Sequence, residues 1–199
     1  MLLSPDQIAF FHAHGYLIVD CFLTPKEVQL YWDEAQQLVN HCYELGDILS
    51  AWGCVIEPLG CDYYDDDQLT CQAKTSRTSY VSLRTQSAPL ELPLCTLDKF
   101  GQCAKQLLTR SPLLPAFLLN EQYIAKPPRS IKAEFAWHQD VLYFSELQRQ
   151  HEIISVWTPL SNVSDANGTV LVDPFPDPFS SGRIMRDNTV LAAMAVPLG

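Results

Sequence analysis

The sequence predicts an α+β domain whose strands form a mainly antiparallel sheet or barrel. Three observations lead there. Two helix-start signals stand close together near the N-terminus. Apolar runs of strand length fill the second half. An Asn-Gly pair sits between two of those runs, a short-range hairpin signal.

The elements follow in order. Ser4-Pro5-Asp6-Gln7 opens the first helix. Ser4 caps it, Pro5 takes the first helical position, and Gln7 completes a capping box. Ile8, Phe11 and His12 follow at helical spacing, and Gly15 ends the helix. Tyr16 to Val19 reads as a short apolar strand. Thr24-Pro25-Lys26-Glu27 repeats the start signal and opens a longer helix through Val28, Leu30, Tyr31, Ala35, Leu38 and Val39. His14 and His41 are placed to meet the C-terminal ends of these helices.

Between Gly46 and Ser87 the periodicity is weak. Gly60 to Asp67 is an acidic loop whose spacing is not that of an EF-hand, so a solvated surface loop is expected. Thr96 to Leu108 has helical periodicity, broken by Pro112 and Pro115. Phe117 to Ala125 reads as a strand and Lys126 to Arg129 as a turn. Ile131 to Trp137 leads into the most informative stretch of the chain. Ile153 to Thr158 is a clear strand. Ala166-Asn167-Gly168-Thr169 is the hairpin turn, and Thr189 to Val196 one more strand.

Composition narrows the functional classes. The chain has 199 residues, 47% hydrophobic and 18% charged, enough for a substantial core. A net charge of −10 argues against a nucleic-acid or anionic-membrane surface. No signal peptide and no membrane span is read from the sequence. The seven cysteines, at 21, 42, 54, 61, 71, 95 and 103, form no C-x-x-C pair. Reduced thiols and a cytoplasmic location are the expectation. Asn162-Val163-Ser164 and Asn167-Gly168-Thr169 match the glycosylation pattern, but turn chemistry accounts for both.

Trp137-His138-Gln139-Asp140 carries the chemistry. On a strand, alternation places His138 and Asp140 on one face and Gln139 on the other. A neutral imidazole and a carboxylate, with other positions open, suit non-haem Fe(II) and its oxygen chemistry. A facial triad needs a second His. The only His after Asp140 is His151, in the polar stretch Gln148 to Glu152, where a surface role is expected. Arg183 and Arg186 are expected to face solvent.

Several stretches together resemble the phytanoyl-CoA dioxygenase family of Fe(II)/2-oxoglutarate oxygenases. Leu3 to Gln7, Gly15 to Val19 and Phe22 to Glu27 resemble its opening helix, strand and second helix. Gln122-Tyr123-Ile124-Ala125-Lys126-Pro127-Pro128 resembles the strand before its metal motif. Trp137 to Asp140 with Tyr143-Phe144 is similar to its signature. Val156-Trp157-Thr158-Pro159-Leu160 and Asn167-Gly168 resemble the next strand and turn.

The resemblance implies a double-stranded β-helix, a jelly-roll or cupin-like barrel with N-terminal flanking helices. It implies oxidative decarboxylation of 2-oxoglutarate coupled to C–H hydroxylation. His138 and Asp140 match the first two iron ligands. Gln122 and Trp157 match positions that line the co-substrate pocket, with Gln139 beside the ligands. The family's distal His and its 2-oxoglutarate-binding Arg lie on later strands. Here Val196 to Gly199 resembles the lead-in to the first of them, and Asp173-Pro174-Phe175-Pro176 replaces the usual stretch after the Asn-Gly turn.

The expectation is therefore one incomplete domain over residues 1–199, truncated at its C-terminus and inactive alone. Two other readings stay open. One is an active dioxygenase whose distal His and Arg lie beyond the given end. The other is a non-catalytic binding module on the same fold. The expected partner is a small molecule, a metabolite or natural product of secondary metabolism rather than an acyl-CoA.

Overall fold

The computed structural model describes residues 3–46, 55–56, 80, 83–86, 92, 95–108, 117–128, 135, 138, 140, 151–164, 166–172 and 189–190. They fall into two units. One comprises Met1–Thr24, Cys95–Phe117 and His138–Gly199. The other comprises Pro25–Leu94 and Leu118–Trp137.

The first unit opens with helix α1, Pro5–His14, built as its sequence predicts. Ser4 Oγ accepts from the Gln7 backbone N–H, and the Gln7 side chain accepts from the Ser4 N–H. Both orphan donors of the first turn are thereby satisfied. Gly15 closes the helix at φ 79°, a left-handed conformation that glycine adopts without steric cost.

Leu17 and Val19 are buried while Ile18 is 52% exposed. The period-2 pattern of a strand is present, but these residues form no ladder. Thr96–Phe100 forms a π-helical turn that runs into α3, Gly101–Leu107. Helix α1 packs on α3, and Gln106 Oε1 accepts from the Leu3 N–H at 2.8 Å. Phe11, Cys103 and Leu107 are completely or almost completely buried. A side chain such as Phe11 or Leu107 contributes roughly 1.5–3 kcal/mol by leaving water. Phe22 meets Phe100 with ring centroids 5.0 Å apart, and Lys99 Nζ donates to the Phe22 carbonyl.

Farther along this unit, β3 (Ile153–Ile154) pairs with β4 (Thr189–Val190) in parallel. The expectation was a mainly antiparallel sheet and a strand reaching Thr158. Residues 155–159 instead run on without a ladder. The long connection between β3 and β4 gives the chain room for a crossover, which a parallel pair requires. The Asn-Gly turn forms as expected. Asn167 Oδ1 accepts from the Ser164 N–H at 2.6 Å, and Gly168 takes φ 98°. Its flanks, 162–164 and 169–172, carry no strand pairing.

The second unit is organised by α2, Pro25–Glu44, which buries Val28, Tyr31, Glu34, Leu38 and Cys42 along one face. Strands β1 (Val55–Ile56) and β2 (Tyr123–Ile124) form an antiparallel ribbon. The partners Ile56 and Tyr123 are buried, whereas Ile124, opposite Val55, is 39% exposed. The ribbon thus has one inner and one outer face. The strand expected from Phe117 is ordered as a ladder only at 123–124, and Phe117 itself is 85% exposed.

Candidate metal site

His138 and Asp140 come together, though not on a strand. His138 lies in irregular backbone and Asp140 in a 3₁₀ conformation. Neither residue is in a strand ladder. His138 Nε2 lies 3.5 Å from Asp140 Oδ1, with the two side chains 30% and 23% exposed. Both donors are open to solvent on one side and held by the protein on the other.

The second carboxylate oxygen is also occupied. Ser155 Oγ donates to Asp140 Oδ2. Ser155 follows β3 directly, so the strand that pairs with β4 also supplies the group behind the carboxylate. Sequence reading passed over Ser155. Its signal was its place two residues before Trp157, which on an extended chain gives both side chains the same face.

Of the other expected site residues, Trp157 lies in the same unit as the pair, half-buried in the extended stretch after β3. Gln122 belongs to the other unit, exposed immediately before β2. Gln139 lies outside the described residues, as do Arg183, Arg186, the acidic loop 60–67 and the stretch 173–176. His151 is exposed in the bend before β3. His14 Nδ1–H donates to the Phe10 carbonyl at 2.9 Å, the helix-end role expected of it. His41 lies in the last turn of α2, as expected, where it faces Glu44 at 3.7 Å and packs edge-on against Tyr80. Among the described residues no third His, Cys, Asp or Glu joins a metal-holding group.

The donor set nevertheless fits an iron ion. First-row metals bond imidazole nitrogen and carboxylate oxygen at about 2.0–2.2 Å. Two such donors 3.5 Å apart can therefore share one ion. Nitrogen plus oxygen, with the remaining positions free, is the donor chemistry of non-haem Fe(II) proteins that activate oxygen.

The comparison with known families agrees. A family model for phytanoyl-CoA dioxygenase matches residues 11–174. The chain belongs to that family, whose members have a jelly-roll fold and use Fe(II) and 2-oxoglutarate. No curated protein and no solved structure matches the chain. The matched span includes His138, Asp140, Ser155 and Trp157.

A second polar cluster, in the other unit, was not foreseen. Arg84 grips Glu121 with two hydrogen bonds, Nη1 to Oε2 at 2.7 Å and Nη2 to Oε1 at 2.9 Å. Its Nε lies 2.9 Å from Glu34 Oε1, off the N–H axis, so the two form an ion pair without an aligned hydrogen bond. Tyr123 donates its hydroxyl hydrogen to Glu34 Oε2.

Burial pushes the Glu34 carboxyl above its ordinary value, and Tyr123 and Arg84 only partly offset this. Burial also works against the Arg84 charge, but Glu121 and Glu34 outweigh it and hold the guanidinium above its ordinary value. Burial, reinforced by the neighbouring Glu34, pushes the Tyr123 phenol up and keeps it protonated. This cluster ties α2 to the β1–β2 ribbon.

Proposed function

We propose that His138 and Asp140 are two metal ligands of an Fe(II)- and 2-oxoglutarate-dependent oxygenase site that hydroxylates a small molecule. The observation that carries this reading is the 3.5 Å approach of Nε2 and Oδ1, both accessible, within the span that matches the family. Bound Fe(II) would supply dioxygen activation coupled to decarboxylation of 2-oxoglutarate. The chain's own residues do the rest. Neutral His138 gives a lone pair at Nε2, and Asp140 gives negative charge at Oδ1. On the family's pattern Trp157 and Gln139 would line the co-substrate pocket, and the strands belong to a double-stranded β-helix.

Two donors hold a divalent ion loosely. The 199-residue chain by itself is therefore proposed to turn over little or no 2-oxoglutarate, since no third donor joins the pair among the described residues. The substrate is a metabolite or natural product. The negative charge of the chain disfavours the phosphates of an acyl-CoA. Cys21 and Cys103 are free thiols, which fits a reducing compartment such as the cytoplasm. No helix among the described residues is long and apolar enough to cross a membrane.

The test is succinate formation from 2-oxoglutarate with Fe(II) and ascorbate. It compares the chain, the chain joined to a homologous C-terminal segment bearing a His and an Arg, and the joined form with His138→Ala. Turnover is expected only in the joined form with His138 intact. Turnover that survives His138→Ala contradicts the reading.

A further inference from the structure

We propose that Ser155 is a positioning residue that commits Asp140 to metal ligation through a single oxygen. This rests on the reading of His138 and Asp140 as metal ligands. The geometry divides the carboxylate between two tasks. Oδ1 faces His138 Nε2 at 3.5 Å, and Oδ2 accepts the Ser155 hydroxyl hydrogen. A carboxylate has two equivalent oxygens and rotates readily about its last torsion. Left alone, it can present either oxygen to an ion, or both at once.

Two-oxygen ligation by Asp140 would fill a coordination position that an oxygenase needs for its co-substrate or dioxygen. The hydrogen bond to Ser155 removes that option in two ways. It occupies one of the acceptor sites of Oδ2, and it fixes the carboxylate plane with Oδ1 on the imidazole side. Groups behind a ligand that orient it in this manner commonly change metal affinity by about 10–100-fold when removed. The device is also economical in sequence. Ser155 directly follows β3, which is paired with β4.

The experiment is a Co(II) titration, read by visible d–d absorption, of the parent chain, Ser155→Ala, Ser155→Thr and His138→Ala. Cobalt is redox-stable, and its spectrum reports coordination number directly. The expected result is saturable binding by the parent and its loss in His138→Ala. Ser155→Ala should bind about 10–100-fold more weakly, with a changed band shape. Ser155→Thr, which keeps the hydroxyl, should restore the parent affinity and spectrum. Should Ser155→Ala fail to fold, Ser155→Cys carries the same comparison, since a thiol is a much weaker donor.

A Ser155→Ala protein with the parent's affinity and spectrum overturns this proposal and leaves the metal reading standing. A His138→Ala protein that binds like the parent, or a parent with no saturable binding, overturns both.

Discussion

The Tyr123 hydroxyl donates to Glu34 Oε2 at 2.5 Å, joining residues 89 positions apart in the sequence. The bond closes a chain of polar contacts that runs from α2 through Glu34 and Arg84 to Glu121 and back to β2 beside it. Glu34 and Arg84 have side chains only 4% and 12% exposed. In such surroundings each partner's removal strands another's charge or hydrogen bond.

Arg84 is the member whose loss is predicted to cost most. It contacts both carboxylates, and Arg84→Ala leaves the buried Glu34 and the part-buried Glu121 without it. The expected loss is about 3–5 kcal/mol in urea unfolding. Arg84→Lys should recover only a fraction, because an ammonium cannot reproduce the two-bond fork to Glu121. A Lys variant as stable as the parent would contradict the assignment of that fork.

Glu34 gives a prediction in pH. Its folded carboxyl lies above the ordinary value of 4.5 because burial outweighs its partners. Between that value and its folded pKa, the folded state binds more proton than the unfolded state. Stability from this group is thus fully present below 4.5 and falls as pH rises through the folded pKa. Glu34→Gln keeps an acceptor for Tyr123 and removes the titration. Urea midpoints of the two proteins across pH should show the parent gaining on Glu34→Gln as pH is lowered toward the carboxylate range. A difference that is flat, or that grows with rising pH, would contradict this.

Tyr123→Phe isolates the hydroxyl. It leaves Glu34 Oε2 buried without the phenolic donor, at an expected cost of about 1–3 kcal/mol. The double variant Tyr123→Phe with Glu34→Ala should cost less than the two single losses added, since the residues share one bond. Strict additivity would place the hydroxyl elsewhere.

How much of this the sequence announces depends on how local the cause is. Helix α1 is legible to the residue, because Ser4, Pro5, Gln7 and Gly15 encode its start and end within its own length. Helix α2 is legible in its apolar face, although Glu34 interrupts that face as a charge at a core position. Its partners lie too far away in sequence for any local pattern to name them. The strands are legible mainly as alternation. Leu17, Ile18 and Val19 keep a strand's burial pattern without a ladder, since pairing depends on a distant segment. At the candidate site, the residue types of His138 and Asp140 are informative by themselves. The hydroxyl of Ser155 behind Asp140 depends on tertiary arrangement.

The capping box offers an independent check on α1. Ser4→Ala removes the acceptor of the Gln7 N–H and should cost about 1 kcal/mol. Gly15→Ala should cost about as much, because a left-handed backbone places Cβ against the following carbonyl. Circular dichroism melts of both variants measure this. A Gly15→Ala protein more stable than the parent would contradict the left-handed cap.

The affinity of the pair for metal should respond to a third ligand. Joining a homologous segment that carries a His and an Arg is predicted to tighten Fe(II) binding over that of the 199-residue chain. Equal, weak binding by both folded proteins would move the cause upstream, to the stretch Asp173 to Pro176.

The most direct test is crystallographic. Crystals of the chain soaked in Co(II) are measured on both sides of the cobalt absorption edge. The account predicts one anomalous peak within bonding distance of both His138 Nε2 and Asp140 Oδ1, with Oδ2 still on Ser155, and no such peak in His138→Ala. Clear density for both side chains with no shared peak, or cobalt bound only elsewhere on the surface, would contradict the central claim.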